Sequence, residues 1–374
     1  MAESFWLSEP TEPFSRADGG FRPDVVVIGA GVTGCSCALT LAEGGLRVRV
    51  HEARRVASGA SGRNGGFALR GGAMSYAKAR ERFGSDGAIA FWRLTERYLD
   101  RMEELAGDAL RRVGSLRLAD DEELADLRDE YDALREDGLD AEWIEDLDAP
   151  LDSLYRAAIR HPGDGSLQPA RWVRRLAARA VAAGAEILEE SRVESLGDLD
   201  VERVVIATDG YTSGLVPELD EAIRPVRGQV IASEPIDRML YPRPHYARRG
   251  FDYWQQTPDS RLVLGGRRDR SPDLEFTNVE AVTDLIQNEL TAFAEQLLGE
   301  PPRVTDRWAG IFGAVEDDLP LAGPLPGREG VWVAAGYSGH GNVLGLACGD
   351  LVGEAVLGRR KPELDLFDPA RLLV

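Results

Sequence analysis

Gly29-Ala30-Gly31-Val32-Thr33-Gly34 is a G-x-G-x-x-G run between a short apolar stretch, Asp24–Ile28, and residues 32–43, which carry helical periodicity. That spacing suits a pyrophosphate. Gly29 allows a tight turn, Gly31 lets backbone amides approach the phosphates, and Gly34 lets the helix pack closely on the strand. Val32 and Thr33 open the helix, whose unpaired N–H groups carry a partial positive charge. Eighteen residues beyond Gly34 stands Glu52, at the end of the next predicted strand, Leu46–His51, with Ala53 and Arg54 behind it. A carboxylate there accepts hydrogen bonds from both hydroxyls of an adenosine ribose and repels a 2′-phosphate. Strand, helix and terminal acid form a βαβ nucleotide-binding unit, against the alternative of a tight turn with no ligand.

NAD and FAD share this fingerprint, so the choice between them rests on other segments. Residues 57–67 read ASGASGRNGGF. Such a loop can lay backbone N–H groups and an amide side chain along an extended cofactor, although small residues alone also make a flexible linker. Ser61, Arg63, Asn64, Gly65, Gly66 and Phe67 are its candidate binding residues. Downstream, VVIATDG (204–210) and VWVAAGYSGHG (331–341) repeat the pattern of an apolar strand followed by glycine. Both lie far downstream of the first strand and read as further pieces of the same domain. His340 is a candidate catalytic base, or a residue that caps the last helix and packs on a cofactor. The other histidines, His51, His161 and His245, lack metal-site spacing, and no CxxC pattern occurs, so no metal centre is expected.

These motifs need elements to hold them. Helices are predicted from Ser75 to about Ala106, over Glu122–Glu136, 168–183 and Val279–Leu298, and up to about Leu357. Strands are predicted at Val113–Leu118, Val204–Ala207, Gly250–Gln256, Arg261–Gly265, Val304–Phe312 and Val331–Ala335. The first twenty-odd residues, broken by Pro10, Pro13 and Pro23, read as an irregular arm. Buried-strand patterns far apart in sequence indicate one domain assembled from separated pieces around a strand-rich insertion. The expected fold is α/β: a discontinuous Rossmann-like domain (1–80, 160–220 and 318–374) plus an α+β substrate domain with a mixed or antiparallel sheet (81–159 and 221–317).

The motifs Ser4-Phe5-Trp6-Leu7, GAGVTG, Glu52, SGASGRNGGF, Gly165-Ser166-Leu167-Gln168-Pro169, VVIATDGYT and GYSGHGN occur in this order through nearly the whole chain. The pattern resembles the FAD-dependent amine and amino-acid oxidase family typified by D-amino acid oxidase, glycine oxidase and sarcosine oxidase, and within it γ-glutamylputrescine oxidase-type proteins. The resemblance implies that Ser61–Gly66 runs past a flavin, that Ala207, Thr208 and Gly210 end a strand near the dinucleotide, and that the Val193 backbone meets the adenine. It also implies that Gly339-His340-Gly341-Asn342 directs the last helix N-terminus at the flavin N1–C2=O edge. A helix N-terminus stabilises the negative charge that two-electron reduction leaves there.

Sarcosine oxidase-like members tether FAD through a cysteine in the segment matching Arg307–Gly313, and other relatives through a histidine in the loop matching SGASGRNGG. Neither residue is present, so FAD is expected to be non-covalent. Where sarcosine oxidase-type enzymes carry a lysine that helps reduce oxygen, the strand Arg261–Gly265 has Val263. The implied reaction is oxidation of the C–N bond of an amine or amino acid, with hydride transfer to flavin N5 and hydrolysis of the imine to an aldehyde or keto acid. Oxygen is the expected acceptor, with release of H2O2. Alternatives are an amine dehydrogenase with another acceptor and a non-catalytic FAD-bound module. Tyr253, Trp254 and Trp308 are candidate substrate-wall aromatics, with Tyr253, Trp308 and His340 as the catalytic candidates. Arg249, Arg267 or Arg307 would pair with a substrate carboxylate, and Arg267 or Arg268 would supply positive charge.

Composition narrows the remaining classes. The chain has 374 residues, with 44 basic and 64 acidic side chains and a net charge of −20, which disfavours nucleic acid and anionic membrane surfaces as partners. No apolar run reaches the roughly 18 residues of a membrane span, and the start, MAESFWLSEPTEPF, lacks signal-peptide character. Cys35, Cys37 and Cys348 suit buried thiols in a reducing, cytoplasmic setting. Lys78 and Lys361 are the only lysines, and both look solvated, which argues against Schiff-base chemistry.

Overall fold

All four side chains of the strand Val25–Ile28 are buried, as a parallel strand covered on both faces requires. In the computed structural model, which describes residues 3–14 and 20–373, this strand is interior to a six-stranded sheet. The order is Leu321–Pro324, Val331–Ala335, Val204–Ile206, Val25–Ile28, Val48–His51, Glu186–Leu188. Every pairing is parallel except that of Leu321–Pro324 with Val331–Ala335. Ile28 lies opposite both Ile206 and His51, so the turns beginning at Gly29, Glu52 and Ala207 emerge side by side at the carboxyl edge, where open parallel sheets bind ligands.

Two helices reach that edge together. Val32–Glu43 and Gly341–Val356 run in the same direction, in contact along their length. Thr33 Oγ1 donates to Tyr337 Oη at 2.9 Å, Ser36 Oγ to the Leu346 carbonyl at 2.7 Å and Thr40 Oγ1 to Asp350 Oδ1 at 2.5 Å. Gly345, Gly349 and Gly353 make the approach possible: a Cβ at Gly349 would lie 2.4 Å from the Thr33 carbonyl oxygen. The three cysteines are buried in these two helices.

An eight-stranded sheet stands beside the first. Its order is Val304–Ala314, Arg224–Pro235, Arg261–Gly266, Asp252–Gln256, His245–Ala247, Ser115–Ala119, Ala157–His161, Glu142–Ile144. It is antiparallel apart from the pairing of His245–Ala247 with Ser115–Ala119. A small sheet of Phe67–Ala68, Gly165–Leu167 and Leu110–Arg111 completes the mixed α/β architecture. The expected division at 159/160 cuts the strand Ala157–His161, which pairs in the eight-stranded sheet.

Three expectations change. The helix Tyr76–Ala106 is interrupted at Gly84, where φ is +70°. The helix expected from Val279 begins at Asp284. Thr283 N–H donates to Gln229 Oε1 at 2.9 Å and Glu280 turns inward, which keeps 279–283 out of the helix. The described part of the arm is ordered by its own chain; residues 15–19 of it lie outside the described residues. Phe5–Ser8 forms a 3-10 turn capped by Ser4, Trp6 Nε1–H donates to the Asn64 carbonyl at 2.8 Å, and Gln168 Nε2–H donates to the Trp6 carbonyl at 3.0 Å.

Candidate active site

The carboxyl edge of the parallel sheet and the near face of the eight-stranded sheet enclose a cleft of about 630 Å³, within the usual range for small-molecule and cofactor sites. Gly29 has φ +103°, and a Cβ there would lie 2.6 Å from the Ala207 carbonyl oxygen, so the turn after the first strand accepts only glycine. Gly31, Val32, Thr33, Glu52, Ala53, Arg54, Ser61, Arg63, Asn64, Gly65, Phe67, Val193, Ala207, Thr208, Gly210, Gly339, His340, Gly341 and Asn342 line the cleft, as do Gly29 and Tyr253. Gly34, Gly66 and Gly336 stand behind its wall. Gly34 packs the helix against Gly29, where a Cβ would clash with the Gly29 carbonyl. Gly66 N–H donates to Asn64 Oδ1 at 2.8 Å and Gly336 N–H to Asp209 Oδ1 at 2.8 Å.

The Glu52 carboxylate stitches its own turn to the glycine turn. Oε2 accepts from Ala30 N–H at 2.8 Å and Oε1 from Arg54 N–H at 2.9 Å, and each oxygen has a further lone pair. Burial raises its pKa, and the two backbone N–H groups oppose the rise. Ser61 Oγ accepts from Val32 N–H at 3.0 Å, which fixes the 58–67 loop against the first helix. Neither helix facing the cleft has an acidic residue in its first turn. Two helix N-termini thus converge on the cleft, with Glu52 at Ala30 the carboxylate beside the first of them, and the unpaired N–H groups of helix starts favour an anion.

Trp308 corrects an expectation. It is fully buried, its Nε1–H donates to the Arg63 carbonyl at 2.8 Å, and it is absent from the cleft wall. Trp254 is likewise interior, stacked on His245 at 5.0 Å. Arg249 pairs with Asp126 at 2.8 Å, Arg267 with Asp252 at 2.9 Å, and Arg307 binds Gln287 at 2.9 Å; none of the three lines the cleft. Val263 is buried in its strand and also lies outside the wall.

The guanidinium that does enter this end of the cleft is Arg268. Gly266 at φ +128° and Arg267 at φ +59° make two successive left-handed turns. Arg267 is held there by Asp252 and by the Phe293 ring at 4.2 Å, and Arg268 is delivered to the opposite side. It donates to the Gly250 carbonyl at 2.9 Å and lies over Phe251 at 4.4 Å. No carboxylate pairs with it among the described residues. Tyr246, Tyr253 and His340 surround it on the wall, and neither phenol hydroxyl has a hydrogen-bond partner among the described residues. Burial pushes the Tyr253 phenol up to about 12 and the Tyr246 phenol upward, and the Arg268 charge opposes both shifts. Burial pushes His340 down to about 4, with Arg268 adding to the shift. Its ring makes no cap bond to the helix, meets Tyr246 edge-on at 5.8 Å, and leaves a buried Nδ1 without a hydrogen-bond partner among the described residues.

Sequence reasoning passed over Asp209. Oδ2 accepts from Gly313 N–H at 3.0 Å and Oδ1 from Gly336 N–H, so one buried carboxylate ties together the ends of three strands at the cleft floor. Burial raises its pKa against these backbone bonds.

A glycine turn and two helix N-termini facing one cleft, with a largely antiparallel sheet opposite, make the architecture of an α/β oxidoreductase that binds an anionic dinucleotide. The chain belongs to the DAO family of FAD dependent oxidoreductases, whose family model matches residues 24–355. It is 29% identical to gamma-glutamylputrescine oxidoreductase of Escherichia coli over 390 residues, 95% of this chain and 88% of that protein. It is 27% identical to glycine oxidase of Pseudomonas aeruginosa over 391 residues, 92% of this chain and 97% of that protein. Its fold matches the crystal structure of glycine oxidase from Geobacillus kaustophilus with a TM-score of 0.75 at 24% identity, covering 94% of this chain and 98% of that one. FAD is accordingly its cofactor, and the residues lining the cleft fit it. No cysteine is part of the wall, and no helix among the described residues is long and apolar enough to cross a membrane.

Proposed function

We propose that the cleft holds FAD non-covalently and that the enzyme oxidises the C–N bond of an amine bearing a carboxylate, such as an amino acid or an N-substituted amino acid. The observation that carries this reading is Arg268, a cleft guanidinium without an ion pair among the described residues, beside two phenol hydroxyls that also lack partners. Three donor groups and no acid favour a carboxylate, which accepts bidentate, charge-assisted hydrogen bonds. The acids on the wall, Glu52, Glu194, Asp209 and Glu280, belong to the turns and loops of the dinucleotide end.

Gly29 to Thr33, Glu52 to Arg54 and Val193 would hold the adenosine and phosphates, with the 61–67 loop, Ala207, Thr208, Gly210 and 339–342 along the remainder. The six-stranded sheet would be the core of a cofactor domain and the eight-stranded sheet the core of a substrate domain. When bound, FAD accepts the hydride from the substrate α-carbon. The wall residues orient that carbon, and Phe312, Phe67 and the tyrosines exclude water. An imidazole held near 4 is neutral at neutral pH and a weak base, so His340 serves as a neutral hydrogen-bonding group. The positive end of the helix Gly341–Val356 offsets the negative charge of reduction. Water then hydrolyses the imine to a carbonyl compound and an amine or ammonia, and oxygen takes up the electrons as H2O2.

The test is anaerobic loss of flavin absorbance on mixing holoprotein with glycine, sarcosine, alanine and proline, and with methylamine, dimethylamine, ethylamine and pyrrolidine. Bleaching by members of the first group alone, with peroxide formed once air is admitted, supports the reading. Bleaching by the second group alone contradicts the carboxylate assignment, and no bleaching by any amine contradicts the oxidase reading.

A further inference from the structure

The segment that crosses from the strand Arg261–Gly266 to the helix Asp284–Leu298 is built inside out. Leu274, Phe276 and Val279 are 61%, 55% and 54% exposed, whereas the carboxylates of Glu275 and Glu280 are turned inward and almost wholly buried. Apolar burial therefore does not hold residues 272–283 down; polar contacts do, with Glu275, the Leu274 carbonyl and Thr283 bound to the Arg227 and Gln229 side chains of one strand and Glu280 turned the other way. Glu275 accepts from Arg227 at 2.8 and 2.9 Å and from Gln229 at 3.0 Å, which anchors the segment to its own sheet. Glu280 reaches the opposite bank. It accepts from Arg54 Nη1 at 2.7 Å and Nη2 at 3.3 Å and from the Tyr211 hydroxyl. Arg54 follows the strand Val48–His51 and lies over the Tyr211 ring at 5.2 Å. Tyr211 follows the strand Val204–Ile206, and all three residues line the cleft.

We propose that Glu280 is a positioning residue that latches the strap 272–283 across the cleft and governs uptake and release of FAD; this rests on the assignment of the cleft to FAD. Removing one partner of a buried ion pair leaves an uncompensated charge and strongly destabilises the arrangement. With the Glu280 link lost, the strap retains Glu275, Thr283 and the Leu274 carbonyl, all bound to its own side through Arg227 and Gln229, and its outward apolar face offers no replacement for the link across the cleft. A latch has a kinetic signature. The same opening precedes uptake and release, so loosening it accelerates both, whereas losing a direct contact to bound cofactor acts chiefly on release.

The experiment follows FAD fluorescence during release from holoprotein and during reconstitution of apoprotein, for wild type, Glu280→Gln and Tyr211→Phe. In Glu280→Gln both rates are expected to rise about tenfold or more, with the FAD Kd changed by less than about threefold because the two increases cancel. Tyr211→Phe, which removes one donor and no charge, is expected to accelerate both by a smaller factor, and it decides the question if Glu280→Gln fails to fold. Unchanged rates, or faster release with unchanged uptake, would overturn the latch and leave the cleft assignment standing. Wild-type apoprotein that takes up no FAD would overturn the assignment itself.

Discussion

Asn64 and Asn342, 278 residues apart in the chain, form a reciprocal amide pair across the cleft floor. Asn342 Nδ2 donates to Asn64 Oδ1 at 3.2 Å and Asn64 Nδ2 to Asn342 Oδ1 at 3.4 Å. Asn342 Nδ2 also donates to the Phe67 carbonyl at 2.7 Å, and Asn64 Nδ2 to the Ala60 and Ser61 carbonyls at 3.0 Å. The loop that follows the first nucleotide turn is thereby fixed to the N-terminus of the last helix, and Trp6 holds the Asn64 carbonyl from below.

Asn342→Ala removes that link and strands the Phe67 carbonyl. The expected loss is about 1–3 kcal/mol of apoprotein stability, read by denaturant unfolding, together with weaker FAD binding. Unchanged stability and unchanged affinity would contradict the pair's role in fixing the loop.

Arg268→Gln should raise the KM for a carboxylate-bearing substrate by about 10–100-fold, the scale of a charge-assisted hydrogen bond, with a smaller effect on kcat. Arg268→Lys should recover part of the loss, since it restores the charge but not the planar fork. Steady-state kinetics on the three proteins checks this, and a fall in kcat at constant KM would count against an anchoring role.

His340→Asn should lower kcat by less than about tenfold, because removal of a true general base costs about 10²–10⁴-fold. Its stability carries a pH signature. A histidine whose folded pKa is near 4 stays neutral while the unfolded chain, near 6.5, takes up a proton. Wild type therefore loses stability relative to His340→Asn as pH falls from about 6.5 to 4, by on the order of 3 kcal/mol at the lower limit. Unfolding curves measured across that window test the sign; a constant difference would mean the ring titrates normally.

Much of the dinucleotide end was legible because local chemistry determines it. The first helix begins and ends where periodicity and flanking glycines require, at Val32 and Glu43, and burial on both faces leaves Val25–Ile28 no choice but an apolar strand. The substrate end was less legible. Arg267 and Arg268 read as interchangeable sources of positive charge, and only the successive left-handed turns at 266 and 267 separate a core ion pair from a cleft guanidinium. Trp308 reads as a wall aromatic because its strand borders the cleft, but the strand's pleat turns the indole toward the Arg63 carbonyl. Asp209 looks like an ordinary turn aspartate in ATDG, since its backbone N–H partners at Gly313 and Gly336 lie more than a hundred residues away. Helical periodicity from Val279 makes Glu280 the second residue of a helix, and its tertiary partners Arg54 and Tyr211 override that local preference.

The occupant of the cleft is the claim on which the rest depends, and the most direct measurement is the visible spectrum of the purified protein before and after acid precipitation. The expected result is a yellow protein that yields a colourless pellet and about one equivalent of free FAD per chain in the supernatant. Colour retained in the pellet would contradict non-covalent binding. A colourless protein that gains neither colour nor thermal stability with added FAD would contradict the cleft assignment as a whole.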